Sequence, residues 1–269
     1  MFIRTCGRDS NLKSQSLVDR YWRSYLKLTT YVIHLKRAVD RQKNVETLRE
    51  HLPGLVKVLD AVDSQELSAS DISSFYKKEI YRPHYPFTLR QSEIACFMSY
   101  RKAWQTLIDS GDEYCLIVED DVLLNYQEFP RALDFVLNSA CSDSYIRFPI
   151  KNRELVQSVI KCEAPITHFV PKVIGLGMVM QLVGRGAAKR LLEVSKFIDR
   201  PVDTLMQMTW VTKVYPSVVY PSGVTEISDE LGGSTIGARK SFGETIYREI
   251  MRPIYRLKLW IYAKRAIID

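Results

Sequence analysis

Three carboxylates in succession, Glu119-Asp120-Asp121, follow the apolar run from Cys115 to Val118. A short apolar run of this kind reads as a strand buried on both faces, and in open α/β sheets ligands gather beyond the carboxyl ends of such strands. Because side chains alternate along a strand, Glu119 and Asp121 are expected on one side and Asp120 on the other. Hard oxygen donors suit Mg²⁺ or Mn²⁺, which take carboxylates, waters and substrate phosphates together. The competing reading is an acidic loop or helix cap after the strand.

The elements that must position these acids alternate in type. Leu28 to Leu35 is rich in β-branched and aromatic residues and reads as a first strand. A helix over Arg37 to His51 follows, ended by Pro53-Gly54, and Val56 to Asp63 reads as a second strand. Ser64 to Pro86 is polar and turn-rich, with room for a short helix. Ser92 to Ser110 carries a broad apolar stripe at helical spacing and is stopped by Gly111-Asp112. Tyr126 to Cys141 is a further helix, and Tyr145 to Phe148 a further short strand. This alternation predicts an α/β fold with a mostly parallel, doubly wound sheet.

With 269 residues and 46% hydrophobic content, the chain can bury a full core. It lacks a run of about 18 apolar residues, and Met1 to Ser10 lacks the apolar middle of a signal peptide, so the expected compartment is the cytoplasm. Five scattered cysteines (Cys6, Cys96, Cys115, Cys141, Cys162) without a CxxC argue against a disulfide framework and a zinc site. The net charge of +7 belongs to the ends: residues 1–28 and 245–269 carry +4 each, around a middle of −1. This distribution disfavours nucleic acid as a partner. The expected organisation is a basic extension over 1–28, a main domain over 29–244 and a basic amphipathic tail over 245–269. That tail carries Tyr247, Tyr255, Trp260 and Tyr262, and suits either an anionic membrane surface or packing on the domain or a second subunit, with Pro253 as a kink.

Four blocks in order resemble glycosyltransferase family 25, the lipopolysaccharide and lipooligosaccharide sugar transferases. Val32-Ile33-His34-Leu35-Lys36-Arg37 with Asp40-Arg41 is similar to the family's opening INLKR…DR. Gln91-Ser92-Glu93-Ile94-Ala95-Cys96-Phe97-Met98-Ser99-Tyr100 with Trp104 is similar to GEIGCxLSH…W. Ile117-Val118-Glu119-Asp120-Asp121-Val122 is similar to ILEDDV. Gly184-Arg185-Gly186-Ala187-Ala188 through Leu192, then Pro201-Val202-Asp203, is similar to SxxGAxxLL…PVD. The resemblance runs from about Tyr31 to Gly237.

It implies a GT-A-like nucleotide-sugar fold and metal-assisted, inverting transfer of a hexose, galactose from UDP-galactose foremost, to a lipooligosaccharide or other glycan. Under that reading Glu119, Asp120 and Asp121 are the metal candidates, with Asp121 first. Asp203 is the candidate base for the acceptor hydroxyl, or else the N-cap of a helix starting at Thr204. Arg37 and Arg41 are candidates for the donor diphosphate, or a solvated helix face. Asp63 is a candidate for uridine or ribose, or a turn former. Glu93 is a further catalytic candidate as a substrate contact, or else a cap, and Ser99, six residues further on and on another face, is a candidate for binding the donor. The chain departs from the family at His34 (usually Asn), Tyr100 (usually His), and Ser92 and Ala95 (usually Gly). These departures keep a catalytically weak or silent glycan-binding relative open. A metal-dependent phosphohydrolase would need further Asp or His ligands, which the sequence does not offer. A working place at the inner face of a bacterial inner membrane completes the expectation.

Overall fold

The computed structural model describes residues 28–227 and 242–265. The expected basic extension, apart from Leu28, lies outside the described residues. The strands are β1 (Thr29–His34), β2 (Leu55–Asp60), β3 (Tyr114–Glu119), β4 (Val122–Leu124), β5 (Tyr145–Arg147), β6 (Val156–Glu163), β7 (Ile166–Pro171), β8 (Met180–Gly184), β9 (Ser217–Tyr220) and β10 (Val224–Glu226). The helices are α1 (Gln42–His51), α2 (Ala69–Phe75), α3 (Gln91–Ser110), α4 (Glu128–Leu137), α5 (Arg185–Val194), α6 (Val202–Met206), α7 (Thr209–Thr212) and α8 (Phe242–Arg265). A 3₁₀ turn over Val39–Arg41 leads into α1.

Among the described residues the central sheet has the order β2-β1-β3-β8-β5-β9-β7-β6. β1 runs parallel to both β2 and β3, as the alternation of strands and helices requires. From β3 onward the sheet is mixed, because β8 is antiparallel to β3 and to β5, and β7 to both β9 and β6. Helices cover both faces. Tyr31, Ile33, Cys115 and Ile117 join one apolar core with the α3 stripe of Phe97, Tyr100 and Trp104. Val32, Leu116 and Val118 join the other, with Val45 and Leu48 of α1 and Phe129 and Leu133 of α4. Two-face burial explains why β1 and β3 read as nearly continuous apolar runs. α3 ends at Gly111, whose φ of 77° closes the helix in the left-handed conformation that glycine adopts without cost.

Some expected boundaries shift. β2 stops at Asp60, so Asp63 lies in the loop beyond the strand. The Gly175-Leu176-Gly177-Met178 segment is a loop preceding β8. α8 passes through Pro253 as one helix and begins at Phe242, three residues before the expected tail.

Candidate active site

Because β1, β2 and β3 are parallel, their carboxyl ends share one edge of the sheet, and a cavity of about 190 Å³ opens there. Leu35, Arg37, Ala61, Val62, Cys96 and Ser99 line it, together with Tyr100 and the whole acidic run Glu119-Asp120-Asp121. The pleat sets the direction of the first two acids. Glu119 follows the Cys115/Ile117 face toward α3, and Asp120 follows the Leu116/Val118 face toward α1. Asp121 departs from the expected alternation. The strand ends at Glu119, and Asp120-Asp121 form a turn into β4, so both aspartates meet the same arginine nitrogen. Arg41 Nη1 lies 2.6 Å from Asp120 Oδ1 and 3.1 Å from Asp121 Oδ2.

Asp120 is committed on both oxygens, since His34 Nδ1 lies 2.8 Å from its Oδ2. The turn itself is pinned by Asn44, whose amide donates to the carbonyls of Asp120 (2.8 Å) and Val122 (2.9 Å). Asp121 is different. Its Oδ1 is buried and has no hydrogen-bond partner, and burial pushes its carboxyl above the ordinary range against the pull of Arg41.

Glu119 is in a third state. Burial, reinforced by the charge of Asp121, pushes its carboxyl up to about 8. The Tyr100 hydroxyl lies 2.7 Å from Glu119 Oε1 and also against the Met178 carbonyl. One hydroxyl proton cannot serve two acceptors, whereas a protonated Glu119 donates to Tyr100 and frees Tyr100 to donate to Met178. The raised carboxyl and the proton count therefore agree. A group whose folded pKa is raised stabilises the fold at low pH and loses that contribution as pH rises from about 4.5 toward 8. Glu119→Gln keeps the donor without the charge. Its stability in denaturant should lie close to wild type near pH 5 and exceed it increasingly toward pH 8, by roughly 3–4 kcal/mol there at about 1.4 kcal/mol per pKa unit. A constant difference across that range would show that Glu119 is ionised throughout.

The remaining expected site residues separate into two groups. Arg37 reaches Asp63 at 2.6 Å, and the Gln65 N–H, ahead of Arg37, holds the Asp63 carboxyl below its usual range. This pair sits at the cavity mouth, with the Arg37 side chain 41% exposed. Arg41 is buried under the acidic turn and acts there as its counter-charge. Ser99 donates to Ala95 and accepts the Val62 N–H at 2.8 Å, so it fastens the loop after β2 to α3. Glu93 accepts the Arg90 N–H at 2.8 Å and closes the first turn of α3.

Asp203 sits inside the first turn of α6, whose N-cap is Pro201, so it is not the cap of a helix from Thr204. It instead accepts the Gly177 N–H at 3.2 Å, from a loop whose glycine has φ 94°. The charges of Glu119, Asp203 and Glu93 all add to the upward push that burial gives the Cys96 thiol.

Sequence reasoning missed several contributors. Glu226 reaches the cavity because β10 pairs with β4, opposite Val122. Arg147, buried in β5, pairs with Glu154 and donates to the carbonyls of Leu176 (3.2 Å) and Gly177 (3.1 Å), fixing the loop that touches Asp203. No local pattern marks either residue. His34 and Tyr100 were visible as departures, and both prove to be direct partners of the acidic run.

A family model described as "Glycosyltransferase family 25 (LPS biosynthesis protein)" matches residues 27–206. Human procollagen galactosyltransferase 2 is 27% identical over 183 residues, 62% of this chain and 29% of that protein. Its mouse counterpart is 36% identical over 107 residues, 38% of this chain and 17% of that protein. A bovine protein named "Probable inactive glycosyltransferase 25 family member 3" is 29% identical over 99 residues, 34% of this chain and 16% of that protein. The chain thus spans less than a third of the length of these relatives. Among solved structures, mannose-1-phosphate geranyltransferase from Thermus thermophilus aligns over 71% of this chain and 73% of that chain, at 10% identity and a TM-score of 0.30.

Proposed function

Since the chain belongs to glycosyltransferase family 25, we propose that it is a transferase of GT-A type that moves a hexose, galactose foremost, from a UDP-sugar to a hydroxyl of a glycan acceptor. A lipooligosaccharide is the acceptor class that fits the family description, and the cytoplasmic face of a membrane is the place where it would be met. The observation that carries the reading is the cavity at the ends of β1, β2 and β3. The acidic turn, Arg37 and Cys96 line it, and Arg37 holds Asp63 beside it.

In this reading Arg37 draws the donor diphosphate to the mouth of the cavity and Asp63 takes the ribose or uridine side. Asp203 accepts the proton of the acceptor hydroxyl as its oxygen bonds to the anomeric carbon and the sugar–phosphate bond breaks, an inverting displacement. The Gly177 N–H steadies the Asp203 carboxylate in position.

A divalent ion fits this donor set in a limited way. The unpartnered, buried Oδ1 of Asp121 can take one ligand position, and Glu226 stands close enough for its charge to act on Asp121. Asp120 is taken by His34 and Arg41, and Glu119 holds its proton. Among the described residues no group of three or more His, Cys, Asp or Glu forms a metal cage, so the fit is to an ion completed by phosphate oxygens and water. When bound, such an ion neutralises charge on the leaving diphosphate.

A second reading has one specific observation in its favour. His34 and Tyr100, both departures from the family pattern, occupy two of the three acids, which would suit a silent glycan-binding relative. Incubating the full chain with a panel of UDP-hexoses and lipooligosaccharide acceptors, with Mn²⁺ or with chelator, separates the two. Transfer of one hexose, largest with UDP-galactose and reduced by chelator, is the expected result. Donor binding by calorimetry without turnover on any acceptor would select the silent relative.

A further inference from the structure

Helix α8 has two apolar faces, and the folded domain uses one of them. Tyr255 and Leu259 face inward, at 6% and 8% exposure. The Tyr255 hydroxyl accepts a hydrogen bond from Arg200 at 2.7 Å, its ring meets Tyr85 edge-on at 5.4 Å, and Tyr262 stacks on Trp210. At 3.6 residues per turn, Ile250, Ile254, Leu257 and Trp260 fall on the opposite side, and they are 41–57% exposed. Charged residues border this ridge: Arg252, paired with Glu249 at 3.3 Å, and Arg256 lie along one edge, Lys258 and Arg265 along the other. Lys264 lies 4.1 Å from the centre of the Trp260 ring. From Phe242 to Arg265 the helix carries a net charge of +4.

A helix packed on a domain normally turns a polar face to water, and an apolar ridge rimmed by polar residues marks an interaction surface. We propose that the outward face of α8 docks on an anionic bilayer, with the ridge at the boundary between headgroups and acyl chains and the flanking cations against the headgroups. No helix among the described residues is long and apolar enough to cross a membrane, so α8 lies in the surface. Charge selects this occupant over a second copy of the chain. An isologous dimer through this ridge would set +4 against +4, whereas anionic lipid complements the same cations. Docking also leaves the inward face in place, because the two sets of side chains point in opposite directions.

The attachment point adds a functional consequence, which rests on the transferase reading. Arg200, bound to Tyr255 and paired with Asp199 at 2.7 Å, is three residues from Asp203. The docking helix is therefore fastened to the segment that carries the proposed base. Membrane contact would thus be made through the element that backs the acceptor side of the site.

Co-sedimentation of the full chain with phosphatidylcholine vesicles and with phosphatidylcholine–phosphatidylglycerol vesicles tests the proposal. The protein should pellet with the anionic vesicles only, and less so as salt rises. The double variant Ile254→Asp/Leu257→Asp should weaken binding by tenfold or more on the order-of-magnitude scale for interfacial helices. Arg252→Gln/Arg256→Gln should weaken it by about thirtyfold, and both should melt as wild type does because these side chains are exposed. Equal pelleting with both vesicle types overturns the proposal. So does undiminished binding by both variants, or a wild-type dimer in light scattering that the variants abolish. None of these readouts involves sugar transfer, so a failed docking test and a failed transferase assay are distinguishable.

Discussion

Asp203→Asn should lower the turnover of hexose transfer by about 10²- to 10⁴-fold, the range expected for removal of a positioned general base, while donor affinity and melting temperature stay near wild type. The structure gives a reason to expect this separation. Asp203 is neither the cap of α6 nor part of a buried ion pair, and its one long-range contact accepts the Gly177 N–H. Asparagine retains an oxygen for that contact and loses only the ability to take a proton. Steady-state kinetics with donor and acceptor varied separately, beside thermal melting, provide the check. A parallel fall in stability and activity would instead make Asp203 an element of the loop that Arg147 and Glu154 hold. A larger effect on donor KM than on kcat would move the residue to donor binding.

A loss of roughly 10²- to 10³-fold in transfer is expected for Asp121→Asn, the scale on which removal of one charge-stabilising group at a reacting centre acts. Here stability should hold or rise slightly, because burial already opposes ionisation of this carboxyl and asparagine is neutral. Asp120→Asn makes the informative contrast. It leaves Arg41, a buried cation, short of its nearest counter-charge and alters the contact with His34, so it should cost about 3–5 kcal/mol of stability. Chemical denaturation of both variants beside the transfer assay reads the two effects. Near wild-type transfer by Asp121→Asn, with chelator having no influence, would remove the metal-assisted reading. Equal destabilisation by the two substitutions would show that the acidic turn serves the fold alone.

Part of this architecture is legible along the chain because it depends on local pattern. β1 and β3 are recognisable since a strand covered on both faces must be apolar at nearly every position, and α3 since its stripe repeats at helical spacing and ends on Gly111. The four family blocks are equally local, and they were enough to identify the transferase family and to offer Glu119, Asp120, Asp121 and Asp203 as candidates. The direction of β8 was not readable. Alternation of inward and outward residues is the same in parallel and antiparallel strands, so the mixed character of the sheet beyond β3 appears only when the strands are paired.

Distinctions among the three acids are entirely tertiary. Adjacent in sequence and alike in chemistry, they differ because their partners come from elsewhere: His34 is 86 residues from Asp120, Arg41 is 79, and Tyr100 arrives on another helix. Burial and those contacts leave Glu119 protonated, Asp120 paired and Asp121 with an unsatisfied oxygen. The same holds for α8, whose sequence is apolar on two sides and basic along the edges. Periodicity establishes that it is amphipathic. Only the packing of Tyr255 and Leu259 against the domain decides which apolar face is already buried, and therefore which one remains at the surface, because burial is a property of what the rest of the chain brings alongside.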